Sequence, residues 1–135
     1  VVSANFISYI TTIAPYNVPE EYLDDYLDET RQVELYTEKG SKIGMTGGGS
    51  VAYFIEDRTV VNLDGLINSA EYFEAMKSGT ATAFLDKIPL NYVYGKPYTL
   101  LESDPYDEIF KNRLVEIGFI RGYENFTLFR YSINQ

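Results

Sequence analysis

The stretch Lys42-Ile43-Gly44-Met45-Thr46-Gly47-Gly48-Gly49-Ser50-Val51-Ala52-Tyr53-Phe54-Ile55-Glu56-Asp57-Arg58-Thr59-Val60-Val61-Asn62-Leu63-Asp64-Gly65 decides the fold. Residues 42–45 form a short run that enters glycines, as a buried strand does before a tight reversal. Residues 46–50 make the turn, 51–55 suffice only for a short helix, and Glu56-Asp57-Arg58 is a polar turn. Residues 59–63 are β-branched enough for a second buried parallel strand, which Asp64-Gly65 closes. A strand, a helix and a parallel strand in succession are the unit of an α/β domain.

Working outward, residues 1–14 read as a helix or an extended lead-in, with helix the expectation, until Pro15 breaks them. Pro19 followed by Glu20 and Glu21 suits the first turn of a helix, Tyr22, Leu23, Tyr26 and Leu27 recur at helical spacing, and Gly40 is placed to end the segment. On the other side, Asn68 or Ser69 can cap a helix whose apolar face is Tyr72, Phe73 and Met76, with Glu71 near its start and Gly79 at its end. Thr80 can cap a second short helix to Lys87, and 91–94, after Pro89, reads as a third strand. This gives a three-layer-like β-α-β-α-β parallel core with right-handed crossovers expected. A short helix from Pro105 to Phe110 follows, then two strands, 114–120 and 126–133, joined through Gly122-Tyr123-Glu124-Asn125 as an antiparallel hairpin that extends the sheet. The expectation is one α/β domain over 1–135, with 1–18 as a lead-in.

Composition narrows the chemistry. The net charge of −9 repels phosphate backbones, so nucleic acid is not an expected partner. There is no Cys, which removes disulfides and thiolate metal sites, and no His, which removes the commonest general base and metal ligand. Neither a metal nor another cofactor is expected. Thirteen Tyr and eight Phe against no Trp imply many half-buried rings with polar tips. The chain opens at Val1 in mid-pattern, without Met, which suggests that it is cut from a longer protein.

Two turns are candidate ligand sites. Gly47-Gly48-Gly49-Ser50-Val51-Ala52 fits G-x-G-x-x-A between a strand and a helix, the context in which backbone N–H groups cradle a pyrophosphate, and Asp64 is placed to receive a ribose hydroxyl. The helix after the glycines is too short for an ordinary dinucleotide fold, and a Walker A loop is excluded because no Gly-Lys-Ser/Thr follows. The blander reading is that the glycines only permit the reversal. Asn62, Asp64 and Asn68 sit at the carboxyl end of the second strand, where open α/β sheets bind ligands; the competing reading is that Asp64 and Asn68 bond local backbone, in an Asx-turn and a helix cap. Thr46, Gly47, Gly48, Gly49, Ser50, Asn62, Asp64 and Asn68 share one sheet edge and together form the candidate site. Asp24, Asp25, Asp28 and Glu29 read as a solvated helix face and Glu102, Asp104, Asp107 and Glu108 as an acidic helix start, with weak binding of a hard cation the alternative for either cluster. No catalytic residue is assigned.

These same segments resemble the soluble C-terminal domain of bacterial multi-span proteins related to integral membrane glycosyltransferases of the protein-mannosyltransferase and arabinosyltransferase type. The resemblance runs through Ile43-Gly44-Met45-Thr46, the pair Tyr53-Phe54, and Val60-Val61-Asn62-Leu63-Asp64-Gly65-Leu66-Ile67-Asn68, and covers about residues 20 to 95. The family often has Asp where Gly47 stands, so any role of that carboxylate is not carried over. The resemblance implies a non-catalytic extracytoplasmic accessory domain attached through a transmembrane portion and binding or positioning a lipid-linked sugar or glycan acceptor, with the catalytic carboxylate in the membrane portion. Two other readings stay open: a small nucleotide or S-adenosylmethionine binding domain, and a protein-interaction module.

Overall fold

The computed structural model describes residues 7, 20–47, 49–64, 69–119 and 125–133. The helix expected over 1–14 lies outside these apart from Ile7, as do Gly48, Gly65, Asn68 and residues 120–124 of the hairpin. Eleven elements follow in order: α1 (Glu20–Leu35), β1 (Lys42–Met45), α2 (Gly49–Phe54), β2 (Thr59–Asn62), α3 (Ala70–Lys77), α4 (Ala81–Leu85), β3 (Tyr92–Gly95), α5 (Pro97–Glu102), α6 (Tyr106–Phe110), β4 (Leu114–Phe119) and β5 (Thr127–Tyr131).

The strands form one five-stranded sheet in the order β2-β1-β3-β5-β4. β1 lies parallel to β2 and β3, with Ile43 opposite Val60 and Tyr92, while β5 runs antiparallel to both β3 and β4. This is the expected α/β architecture with its antiparallel extension.

Alternation along the strands divides the core between the two faces of the sheet. Ile43, Met45, Tyr92, Tyr94 and Leu128 point to one face and pack with Val33 of α1 and Val51 of α2. Val93, Phe129 and Tyr131 point to the other, where Tyr72, Leu85, Leu100 and Phe110 of the remaining helices cover them. Gly44 also faces that second side, and a Cβ there would come within 2.9 Å of the buried Leu63 side chain. Glycine in β1 is thus what lets Leu63 close over the strand.

Local differences have local causes. α3 is capped by Ser69, whose hydroxyl accepts from the Tyr72 N–H at 3.0 Å. Its buried residues are Tyr72 and Ala75, and Phe73 is turned out to solvent. Thr80 makes no side-chain cap. α1 ends at Leu35, ahead of Gly40, whose φ of +81° instead turns the chain into β1. Helix α5 was not anticipated, although Pro97 stands in its first turn.

Candidate functional site

β1 and β2 run parallel and adjacent, so the turns that follow them must emerge at the same sheet edge. Leu63 N–H continues the ladder by donating to the Met45 carbonyl at 2.8 Å, which carries Asp64 alongside the glycine turn. Asn62 Oδ1 then accepts from the Asp64 N–H at 2.7 Å, an Asx-turn that aims the Asp64 side chain back toward β1. There the carboxylate accepts from the Gly47 N–H, at 3.0 Å to Oδ2 and 3.2 Å to Oδ1. Gly47 has φ +66°, a conformation that favours glycine, and its carbonyl accepts from Gly49 N–H at 2.9 Å as α2 begins.

The expected site residues are therefore brought together in part. Gly47, Asn62 and Asp64 form one hydrogen-bonded corner, with Gly49 joined to it through Gly47. Thr46 leans instead toward β3, where a Cβ on Gly95 would meet its Oγ1 at 3.1 Å. Ser50 is half-buried in the first turn of α2. Gly48 and Asn68 lie outside the described residues. The Asx-turn belongs to Asn62 rather than to Asp64, whose acceptor atoms reach across to the neighbouring turn.

A carboxylate on the glycine turn changes what that turn can bind. The Gly47 N–H that would point at a phosphate already donates to an anion of the protein's own, and α2 is only six residues long. A phosphate would have to displace Asp64 against like-charge repulsion.

Beside this corner opens a cleft of about 590 Å³ between α3 and α6, lined by Asp64, Phe73, Lys77, Thr82, Asp104 and Glu108 among others, with Met76, Ala81 and Ile109 contributing apolar surface. Phe73 is 42% exposed, and the Lys77 ammonium lies 5.4 Å from its ring centroid while also pairing with Glu74 at 3.2 Å. Tyr106 braces the corner from below, its hydroxyl donating to the Leu63 carbonyl at 3.1 Å. Burial holds that phenol above its ordinary pKa, and the Asp64 charge adds to the effect, so it remains a donor at neutral pH. Among the described residues no three acidic side chains come together as a metal-ligating group. The carboxylates of the cleft can therefore act singly, as hydrogen-bond acceptors.

Thr82 and Tyr106 were missed as site residues because they lie far along the chain from the two turns, and Phe73 because its spacing reads as part of the apolar face of α3, whereas it is 42% exposed. Only the packing of α3, α4 and α6 on the sheet unites them. Comparison with protein-family models, with curated proteins and with solved structures finds no match.

Proposed function

We propose that this chain is a non-catalytic accessory domain that binds and positions a glycan, as part of a membrane-attached, glycosyltransferase-like protein. One observation carries the binding part: a cleft of about 590 Å³ lined by the carboxylate residues Asp64, Asp104 and Glu108 together with the exposed Phe73 ring. Its volume lies within the range of small-molecule sites. Sugars offer hydroxyl donors around an apolar C–H face, and isolated carboxylates with an aromatic plate are complementary to both. The engaged N–H groups of Gly47 and Gly49 support this reading over nucleotide binding, because the cleft has acceptors for hydroxyls while those two donors already serve the protein's own oxygens. The membrane attachment and the extracytoplasmic location rest on the resemblance through residues 43–46, 53–54 and 60–68.

The binding part is tested by titrating isotopically labelled protein with manno- and arabino-oligosaccharides. The expected result is saturable shifts at Phe73, Thr82 and Glu108, weakened at least about tenfold by Glu108→Gln and Phe73→Ala. Thermal stabilisation by NAD, S-adenosylmethionine or a sugar nucleotide, with none from the oligosaccharides, overturns the reading in favour of a nucleotide site. The attachment is tested in the parent reading frame, where hydrophobic spans of ~20 residues should precede Val1.

A further inference from the structure

At the opposite end of the sheet, where β1 and β3 begin and β5 ends, lies a second cleft of about 490 Å³ lined by Glu38, Asn91, Tyr92 and Arg130 among others. Its polar groups are oriented before anything enters. The Tyr92 hydroxyl donates to Glu38 Oε2, and Asn91 Oδ1 accepts from the Lys42 N–H at 2.8 Å, which leaves the Asn91 NH₂ as that side chain's donor. Lys39 is committed to Asp57 at 2.7 Å.

Arg130 stands opposite Tyr92 in the β3–β5 ladder and is exposed. Among the described residues no carboxylate lies within ion-pair distance of it, although Glu38 lines the same cleft. The Glu38 carboxyl is held below its ordinary pKa, chiefly by the Tyr92 hydroxyl, with the charge of Arg130 a lesser contributor. Two opposite charges thus address one cleft without closing on each other.

We infer that this cleft binds a small zwitterion of the amino-acid type, with its carboxylate on the Arg130 guanidinium and Asn91 amide and its ammonium on Glu38. The planar guanidinium fork matches a carboxylate, and an oriented Glu38 keeps acceptor capacity for an ammonium. A simple anion would meet the repulsion of Glu38, and a simple cation that of Arg130; a ligand carrying both charges meets neither. Prior orientation of Glu38 and Asn91 lowers the ordering cost of binding. This site is separate from the glycan cleft, and the two proposals fail independently.

The test is a titration of labelled protein with L-alanine, acetate and ethylammonium in turn. L-alanine should give saturable shifts at the Asn91 side-chain amide and Tyr92, with a dissociation constant at least about tenfold below that of either singly charged probe. Glu38→Gln keeps an acceptor for Tyr92, and Arg130→Lys keeps the charge without the fork. Both positions are exposed, and each change should weaken L-alanine about tenfold while the remaining spectrum stays that of the folded protein. Acetate binding as tightly as L-alanine, unchanged affinity in Glu38→Gln, or no shift from any probe at tens of millimolar would each overturn the inference.

Discussion

Glu29 belongs to an acidic run that reads as a solvated helix face, yet it is only 7% exposed and accepts a hydrogen bond from the Tyr94 hydroxyl at 2.6 Å. The reason is periodic: Glu29 and Val33 are four apart, so when Val33 packs on the sheet Glu29 is carried down with it. Burial raises the Glu29 pKa, and the Tyr94 bond offsets this only in part. A raised folded value means that the group's contribution to stability is complete below the ordinary value of 4.5 and is lost as the pH rises through the folded value. Glu29→Gln keeps an acceptor for Tyr94 and removes the ionisation, so its stability relative to wild type should improve between about pH 4 and pH 7 in urea titrations. Glu29→Ala strands the buried Tyr94 hydroxyl and should cost about 1–3 kcal/mol. Just past the carboxyl end of β1, Asp64→Ala frees the Gly47 N–H and should cost about 1–2 kcal/mol, with faster hydrogen exchange at that amide as the specific readout.

At the scale of elements, α1 shows how a helix end can be completed from elsewhere in the chain. Its last turn contains no basic residue, and the one local side chain seen to answer its carbonyls is that of Thr37, whose hydroxyl donates to the Val33 carbonyl at 2.7 Å and carries no charge for the negative dipole end. Arg58, in the turn before β2, supplies further donors and the charge. Its Nη2 donates to the Glu34 carbonyl at 2.8 Å and the Thr37 carbonyl at 2.7 Å, and its Nη1 to the Glu56 carbonyl at 3.0 Å. Glu34 returns the contact by accepting from the Glu56 N–H at 2.7 Å. Arg58→Ala should destabilise the protein by about 2 kcal/mol, and Arg58→Lys should fall between the two, since it keeps the charge and loses the fork. Equilibrium unfolding followed by circular dichroism measures both. In sequence, Arg58 reads only as part of a polar turn, because its partners at the end of α1, the Glu34 and Thr37 carbonyls, lie more than 20 residues back.

The whole molecule carries a net charge of −9 on 135 residues, with few ion pairs among the described ones, and Lys39–Asp57, Arg31–Asp28 and Lys77–Glu74 are exposed. Exposed pairs contribute little, so repulsion among the surplus carboxylates should outweigh them. Raising NaCl from about 0.01 M to about 0.5 M shortens the screening length from ~30 Å to ~4 Å. Calorimetry should then show an increase in melting temperature of roughly 4 °C, equivalent to about 1 kcal/mol for a chain of this size. A decrease would mean that attractive pairs dominate the surface.

What the sequence determined by itself was the order of the elements other than α5 and the edge on which the two turns meet. Glycines, prolines and β-branched runs act locally, and parallel neighbours must present their carboxyl ends together, so 42–65 was legible as a unit. Tertiary structure alone decided which carboxylates are free and which are engaged. Asp64 reaches 17 residues back to Gly47, Glu29 is buried against a tyrosine 65 residues away, and Phe73, Thr82, Asp104 and Glu108 share a cleft only because three helices pack on one face of the sheet. Hydrogen bonds and burial act through space, at separations that no local pattern of residues records.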